Sequence, residues 1–526
     1  MLTLDITAPT IEYGLLTPVF VIFGAACVGV LAEALVPRER RRTVQLFLTV
    51  LAILAALAAT VADWASGSEA VVAVDSLALD GPTYFLWTIL LVLGGVCMLL
   101  FAERTIEGAS PFAPQAAAVP GTPAEREAIQ YQAEHTEVFP LALFALSGMM
   151  LFPASNDLIT MFVALEILSL PLYLLCGLAR RRRLLSQESA LKYFLLGALS
   201  SAFFLYGAAL LYGYAGSFTL RAIDIALRTS EQSPTLLLAG MGLLGIGLLF
   251  KFGAVPFHSW TPDVYTGAPT AVTAFMAACT KIAAIGALMR VFYVGLGADR
   301  WDWQPLMAIV AVATMAVGSV LAITQTDVKR MLAYSSIAHA GFILTAFVGA
   351  SQAVTGSEPG ALTSVSSVLF YLVAYGAATV GAFALVTMVR DATGEATLLN
   401  SWVGLGKRSP LAAVTFSLFM LSFAGIPLTS GFIGKWAVFA AAWSGGSEWL
   451  VVVAVVISVV AAFFYIRVIV LMFFSEPTDV ASTTEVARPG WTTLAVVGVG
   501  AVATVAFGIF PGPLLDLAQQ ASELIR

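Results

Sequence analysis

The chain has 526 residues, of which 59% are hydrophobic and only 11% charged, with a mean hydropathy of +0.91. Soluble domains carry about 25% charged residues, so a soluble enzyme or binding module is excluded and a polytopic membrane protein is implied. The net charge of −6 is spread over the connecting segments and points to no nucleic-acid partner.

A spanning helix needs about 20 apolar residues. Fourteen runs meet this, and they predict an all-α membrane protein. No basic stretch precedes the first run, 14–36, which is long enough to span; it reads as a retained helix, not a signal peptide. Helices 2 and 3 follow at 43–62 and 82–103. Residues 104–137 form the one long polar connection, and its SPFAPQ and VPGTPAERE stretches read as a linker rather than a domain. Helices 4 to 8 are predicted at 138–154, 157–179, 187–214, 235–255 and 269–294, the first of them short. Helices 9 to 13 are predicted at 304–324, 329–350, 363–390, 409–441 and 447–474, and helix 14 at 491–511. Runs 7 and 12 contain internal Pro and Gly, which predicts broken helices.

The basic residues test this count. Sixteen of the 26 Lys and Arg fall in alternate loops on one side of the fourteen spans, and the loops beside the termini hold four: Arg221, Arg228, Arg300 and Arg526. By the positive-inside rule, both termini are expected to face away from the cytoplasm. Residues 252–259 read FGAVPFHS and residues 423–430 read FAGIPLTS. Five helices separate the two motifs, so they run in opposite directions. That predicts an inverted repeat, helices 4–8 and 9–13, with broken helices forming a polar site near the midplane and helices 1–3 and 14 outside it.

Four of the six lysines, Lys192, Lys251, Lys281 and Lys435, lie inside apolar runs. An ammonium in a hydrocarbon layer is costly, so each is a candidate for moving charge. Glu166 lies ten residues from Asn156, or about 15 Å along a helix, with apolar neighbours; Lys251, just before the first break, is its expected partner. Lys281 lies eleven residues beyond Thr270, at a similar depth of about 15 Å, and is the expected central proton carrier. Lys192 is only six residues from Ser186, about 9 Å in, where its side chain can also snorkel to the surface. Lys435 follows the second break by eight residues. His339 sits ten residues into helix 10, one turn after Ser335, and is the expected relay. His258, in the interruption of helix 7, is expected to cap exposed backbone.

Other features carry no chemistry. Cys27, Cys97, Cys176 and Cys279 have no metal-ligand spacing and read as small buried hydrophobes, and three histidines leave few ligands for haem, zinc or an iron–sulfur cluster. GMGLLG, with Gly240, Gly242 and Gly245, lies inside a spanning run and reads as close helix packing, not a dinucleotide site. Glu33, Glu103, Arg290 and Arg467 lie near helix ends and read mostly as snorkelling residues.

The run KFGAVPFHSWTPDVYTGAPTAVTAFMAACTKIAA, residues 251–284, resembles helices 7–8 of the antiporter-like subunits of respiratory complex I, and DVKRMLAYSSIAHAGF, residues 327–342, looks like helix 10 of that family. Subunits M and L and the Mrp antiporters typically have LPDAH..AP, whereas TPDVYTGAP at 261–269 looks like the N branch. The resemblance covers essentially all fourteen helices. It implies that Glu166 and Lys251 form the helix 5/helix 7 pair, Lys281 and Lys435 are the lysines of helices 8 and 12, His339 is the relay and Lys192 a further helix 6 lysine. It implies a hetero-oligomer with other membrane-arm subunits in a bacterial plasma membrane and no cofactor in this chain, with NADH, FMN, iron–sulfur clusters and quinone used by other subunits. Three further readings are open: an Mrp-type cation/proton antiporter subunit, the membrane arm of an energy-converting hydrogenase, and a scaffold whose buried charges only pin helices. The 104–137 connection looks longer than the family's usual one.

Overall fold

Asp and Thr side chains open several of the spans. Asp157 accepts hydrogen bonds from the Ile159 and Thr160 N–H groups, Asp327 from Arg330, Asp80 from Thr83, and Thr363 forms a capping box with Ser366. Each satisfies backbone donors that a helix start leaves open. The chain is seen in a computed structural model that describes residues 11–106, 110–112, 122–130, 135–229, 233–350, 362–391, 394–476 and 484–525.

Among the described residues twelve helices are long and apolar enough to cross a membrane, and two shorter apolar ones complete the predicted fourteen. Helices 1 to 3 are Thr17–Leu35, Arg38–Ala65 and Gly81–Phe101. Helices 4 to 6 are Val138–Ala154, Leu158–Cys176 and Arg183–Ala215. Helix 7 is split into 7a, Thr235–Phe252, and 7b, Trp260–Gly267; helix 8 is Thr270–Gly295. Helices 9 to 11 are Arg300–Ile323, Val328–Val348 and Ser364–Met388. Helix 12 is split into 12a, Pro410–Ala424, and 12b, Ser430–Ser444; helices 13 and 14 are Glu448–Phe474 and Trp491–Ile509.

Helices 8, 10 and 11 are buried along almost their whole length and form the centre. Helices 1, 2, 13 and 14 present most of their apolar surface outward, where only lipid or another apolar partner suits them. One small hairpin, 70–72 with 77–79, caps the face that carries the termini. Strands 389–391, 394–395 and 485–486 form a small sheet on the arginine-rich face.

Three features depart from the expected runs. Helix 7b lies beyond the predicted 235–255 span, because WTPDVYTG is short and mixed in polarity and gives no hydropathy signal. Helix 8 is not uniform: Met276–Thr280 and Arg290–Gly295 are π-helical. Within the 104–137 connection, residues 123–130 form a short helix and Phe112 bridges to Ala179; residues 107–109, 113–121 and 131–134 lie outside the described residues.

The packing reading of GMGLLG holds at Gly240, where an added Cβ would lie 3.0 Å from the Gly207 carbonyl of helix 6. Gly242 has nothing within 4 Å. Of the four cysteines, Cys97, Cys176 and Cys279 are buried as expected, but Cys27 is exposed because helix 1 turns that face outward.

Candidate functional site

The two helix breaks are built alike. At the end of 7a, Gly253 takes a left-handed φ of +78°, its N–H bonds the Phe250 carbonyl, and the Ala254 N–H reaches back to Leu249. At the end of 12a, Gly425 takes φ +81°, bonds Ser422, and Ile426 reaches back to Leu421. Both are Schellman caps, which favour glycine at the left-handed position. This explains the reversed Gly/Ala order of the two motifs: the second connection is one residue shorter before its proline. Such a cap leaves the last carbonyl of each helix without a backbone partner, at the negative end of the helix dipole.

A lysine fills each vacancy. Lys281 Nζ donates to the Phe252 carbonyl of 7a at 3.1 Å and to the Ser336 carbonyl of helix 10 at 2.9 Å, lying 5.1 Å from the centre of the Phe252 ring. Lys435 Nζ donates to the Ala424 carbonyl of 12a at 3.0 Å and meets Ser458 of helix 13 at 2.9 Å, 4.7 Å from the Phe342 ring centre. The π-helical turn ends immediately before Lys281 and so sets the face on which it emerges.

Lys251, two residues before the first cap at Gly253, donates to Ser169 Oγ at 2.8 Å and to the Tyr193 hydroxyl at 3.0 Å. Glu166 lies one turn before Ser169 on helix 5. The expected contact between Glu166 and Lys251 is not closed. No ion pair joins them, and one Glu166 carboxylate oxygen is buried with no hydrogen-bond partner. Ser169 and Tyr193 have taken the ammonium instead.

His339 is buried between the two lysine sites. Its Nδ1 is 2.6 Å from the Tyr371 hydroxyl and its Nε2 3.2 Å from the Tyr465 hydroxyl, which in turn meets Ser335 Oγ at 2.5 Å. A small cavity lies beside the ring, lined by Tyr371, Tyr375, Ser422, Phe423 and Gly434. The structure therefore gathers Lys251, Lys281, His339 and Lys435 into the interior, with Glu166 beside the first of them. Lys192 stands apart: its side chain is 44% exposed and pairs with Glu188 at 2.8 Å and Asp263 at 2.9 Å. His258, expected to cap exposed backbone, has its Nδ1 buried without a hydrogen-bond partner.

The family model for the transmembrane part of the NADH:quinone oxidoreductase/Mrp antiporter proteins matches residues 155–461. The chain belongs to that family. It is 58% identical to the NADH-quinone oxidoreductase subunit N of Nocardioides sp. over 99% of this chain and 100% of that protein. It is 57% identical to the subunit N of Rhodococcus opacus over 99% and 98%. A chain of respiratory complex I from Thermus thermophilus with bound aureothin superposes with a TM-score of 0.74 at 32% identity, over 95% of this chain and 99% of that one. A chain of the Mrp complex from Dietzia sp. superposes with a TM-score of 0.79 at 22% identity, covering 97% of each, which shows a shared fold.

For this member of the family, sequence reasoning missed the hydroxyl groups. Ser169, Tyr193, Tyr371, Tyr465 and Ser458 are ordinary in composition, and only Ser169, three residues after Glu166, and Tyr193, next to Lys192, had a neighbour that could have drawn attention to them. It also misread two charges. Arg290 is not a snorkelling residue: it is 1% exposed and grips Asp80 with two hydrogen bonds, at 2.6 and 2.8 Å. Glu103 is buried as well and accepts from Arg104 and Thr105 N–H groups, from Gly490 N–H and from the Thr492 and Thr493 hydroxyls. Both sit near helix ends, but partners from distant segments arrive there and make an outward reach unnecessary. Among the described residues no group of three or more His, Cys, Asp and Glu could hold a metal ion.

Proposed function

We propose that the chain is the N subunit of a proton-translocating NADH–quinone oxidoreductase and that it carries one proton path of the membrane arm. The full-length relatives that bear this name support the subunit assignment. The observation that carries the proton path is the placement of two ammonium groups, Lys281 and Lys435, on the last carbonyls of two matched broken helices, with His339 between them.

The division of labour follows from the side chains. The chain acts as a non-redox subunit, and NADH, FMN, iron–sulfur clusters and quinone belong to its partner subunits. Residues 1–103 form three outer helices, 104–137 a linker, 138–294 and 304–474 the two inverted repeats, and 491–511 a closing helix. The excess of arginine in the loops opposite the termini supports a bacterial plasma-membrane protein with both termini on the non-cytoplasmic side.

A proton enters from the arginine-rich side near helix 7b and resides on Lys251 or Lys281. It passes through water and His339 to Lys435, then leaves on the side of the termini. Glu166, with its unpartnered oxygen, is placed to pull the Lys251 ammonium away from Ser169 and Tyr193, and so to couple the first site to charge outside it. The driving signal reaches the row from the quinone-reducing part of the complex.

The test is Lys281→Ala in the assembled complex, scored by proton pumping and by NADH oxidation. Pumping is expected to fall while the complex remains assembled. Wild-type pumping in an intact complex overturns the path. Restored salt tolerance when the chain is expressed alone in an antiporter-deficient strain would assign it to the Mrp-type transporters instead.

A further inference from the structure

Helix 7b has eight residues, Trp260–Gly267, too few to hold a helix by themselves. What fixes it is therefore its neighbours, and the tethers can be traced. The Asp263 carboxylate, in the first turn, divides between two helices. One oxygen meets Lys192 Nζ of helix 6 at 2.9 Å, and the other meets Arg330 of helix 10 at 2.8 Å. The Asp263 carbonyl accepts from Ser189 Oγ at 2.9 Å, and Lys192 is balanced by Glu188 at 2.8 Å. Two acids and two bases thus form a neutral cluster.

Both ends of this cluster lead to the proton row. Tyr193, next to Lys192 on helix 6, holds the Lys251 ammonium and stacks on Trp260 of 7b, with ring centres 4.8 Å apart and an interplanar angle of 12°. Trp260 Nε1 donates to the Phe250 carbonyl at the end of 7a. Arg330 lies on the helix whose Ser336 carbonyl holds Lys281. A shift of 7b would move the Trp260–Tyr193 stack, and with it the hydroxyl that receives Lys251.

We propose that Asp263 is a positioning residue that pins helix 7b between helices 6 and 10, and that Lys192 is the anchor of its carboxylate rather than a proton carrier. This rests on the proton path proposed above and gives a role to the one lysine of the apolar runs that the path does not use. Lys192 is the group with two carboxylates and substantial exposure, whereas Lys251, Lys281 and Lys435 are buried and bound only to neutral oxygens.

The chemistry of arginine separates anchor from carrier. A guanidinium keeps its charge at any accessible pH, so it can hold Asp263 but cannot release a proton. In the assembled complex, Lys192→Arg is expected to keep proton pumping per NADH oxidised near the wild-type value, whereas Lys192→Gln lowers it. Asp263→Asn is expected to lower it roughly fivefold. The Lys192→Gln loss should vanish in an Asp263→Asn background, since both act through one contact. Lys281→Arg is the control, expected to stop pumping as a carrier site must.

Loss of pumping in Lys192→Arg with the complex intact overturns the anchor assignment, as does wild-type pumping in Asp263→Asn. If Asp263→Asn does not assemble, Lys192→Arg against Lys192→Gln still decides. A normal rate in Lys281→Arg would instead strike at the proton path itself, so the two failures are distinguishable.

Discussion

An ammonium has three protons to place and a neutral amine has two. Lys281 and Lys251 each have two oxygen partners, and so does Lys435. Two acceptors pair both N–H groups of the amine and two of the three of the ammonium, so the same two contacts serve either state. The hydroxyl partners of Lys251 can also reverse, donating to a neutral nitrogen as readily as accepting from a charged one. His339 follows the same logic. A neutral ring donates from one nitrogen and accepts at the other, so on the proposed path a proton taken up at Nδ1, beside Tyr371, is matched by one released at Nε2 towards Tyr465. We expect Tyr371→Phe to leave assembly unchanged and to slow pumping by about tenfold, which corresponds to about 1.4 kcal/mol on the barrier. Proton-uptake kinetics in vesicles would check this, and an unchanged rate would remove Tyr371 from the relay.

At the scale of an element, the two breaks matter more than the length of either helix. A straight helix would satisfy its own carbonyls and leave a midplane ammonium with nothing to bind. The break frees one carbonyl on each, and glycine alone makes the turn at low cost. Gly425→Ala would place a side chain at φ +81°, costing roughly 1–2 kcal/mol. Its Cβ would also lie 2.9 Å from Lys435 Cδ. The expected result is a complex that assembles but pumps poorly, measured as protons moved per NADH oxidised. Equal losses of assembly and pumping would mean that the cap acts on stability alone. The breaks were legible in the sequence because Pro and Gly interrupt two apolar runs. The Schellman caps are half legible, in the glycine that each of the two matched motifs carries ahead of its proline. Helix 7b was not, since eight residues of mixed polarity look like a loop until Trp260, Asp263 and Gly267 find helices 6 and 10.

The molecule as a whole is held at the face of its termini by a charge pair that plays no part in the row. Arg290, at the end of helix 8, binds Asp80 of the helix 3 cap, the Thr83 hydroxyl and the Pro153 carbonyl of helix 4; the Ile525 N–H near the C-terminus also meets Asp80. One cluster thus joins the outer helices to the first repeat and to the chain end. Arg290→Gln would leave a carboxylate with 0% exposure facing no cation, a loss of about 3–5 kcal/mol. Less assembled complex and a lower Tm are expected, with partial recovery when Asp80→Asn is added. No recovery in the double variant would show that the arginine serves through packing and not through charge.

The sequence by itself determined the number of crossings, the face on which arginine gathers, the two interrupted helices and three of the buried lysines, Lys251, Lys281 and Lys435. Each of these is a local property: hydropathy, charge and helix breakers act within one segment, and the cost of charge in hydrocarbon applies wherever that segment packs. Only the tertiary structure decided what each charge touches. Lys281 meets a carbonyl 29 residues away and another 55 away, and Arg290 meets an acid at a separation of 210 residues. Such partners depend on the rotation and depth of each helix relative to its neighbours, which no single segment encodes. That is why the sequence could name Lys251 as the partner of Glu166 but not Ser169 and Tyr193 as the groups that hold its ammonium.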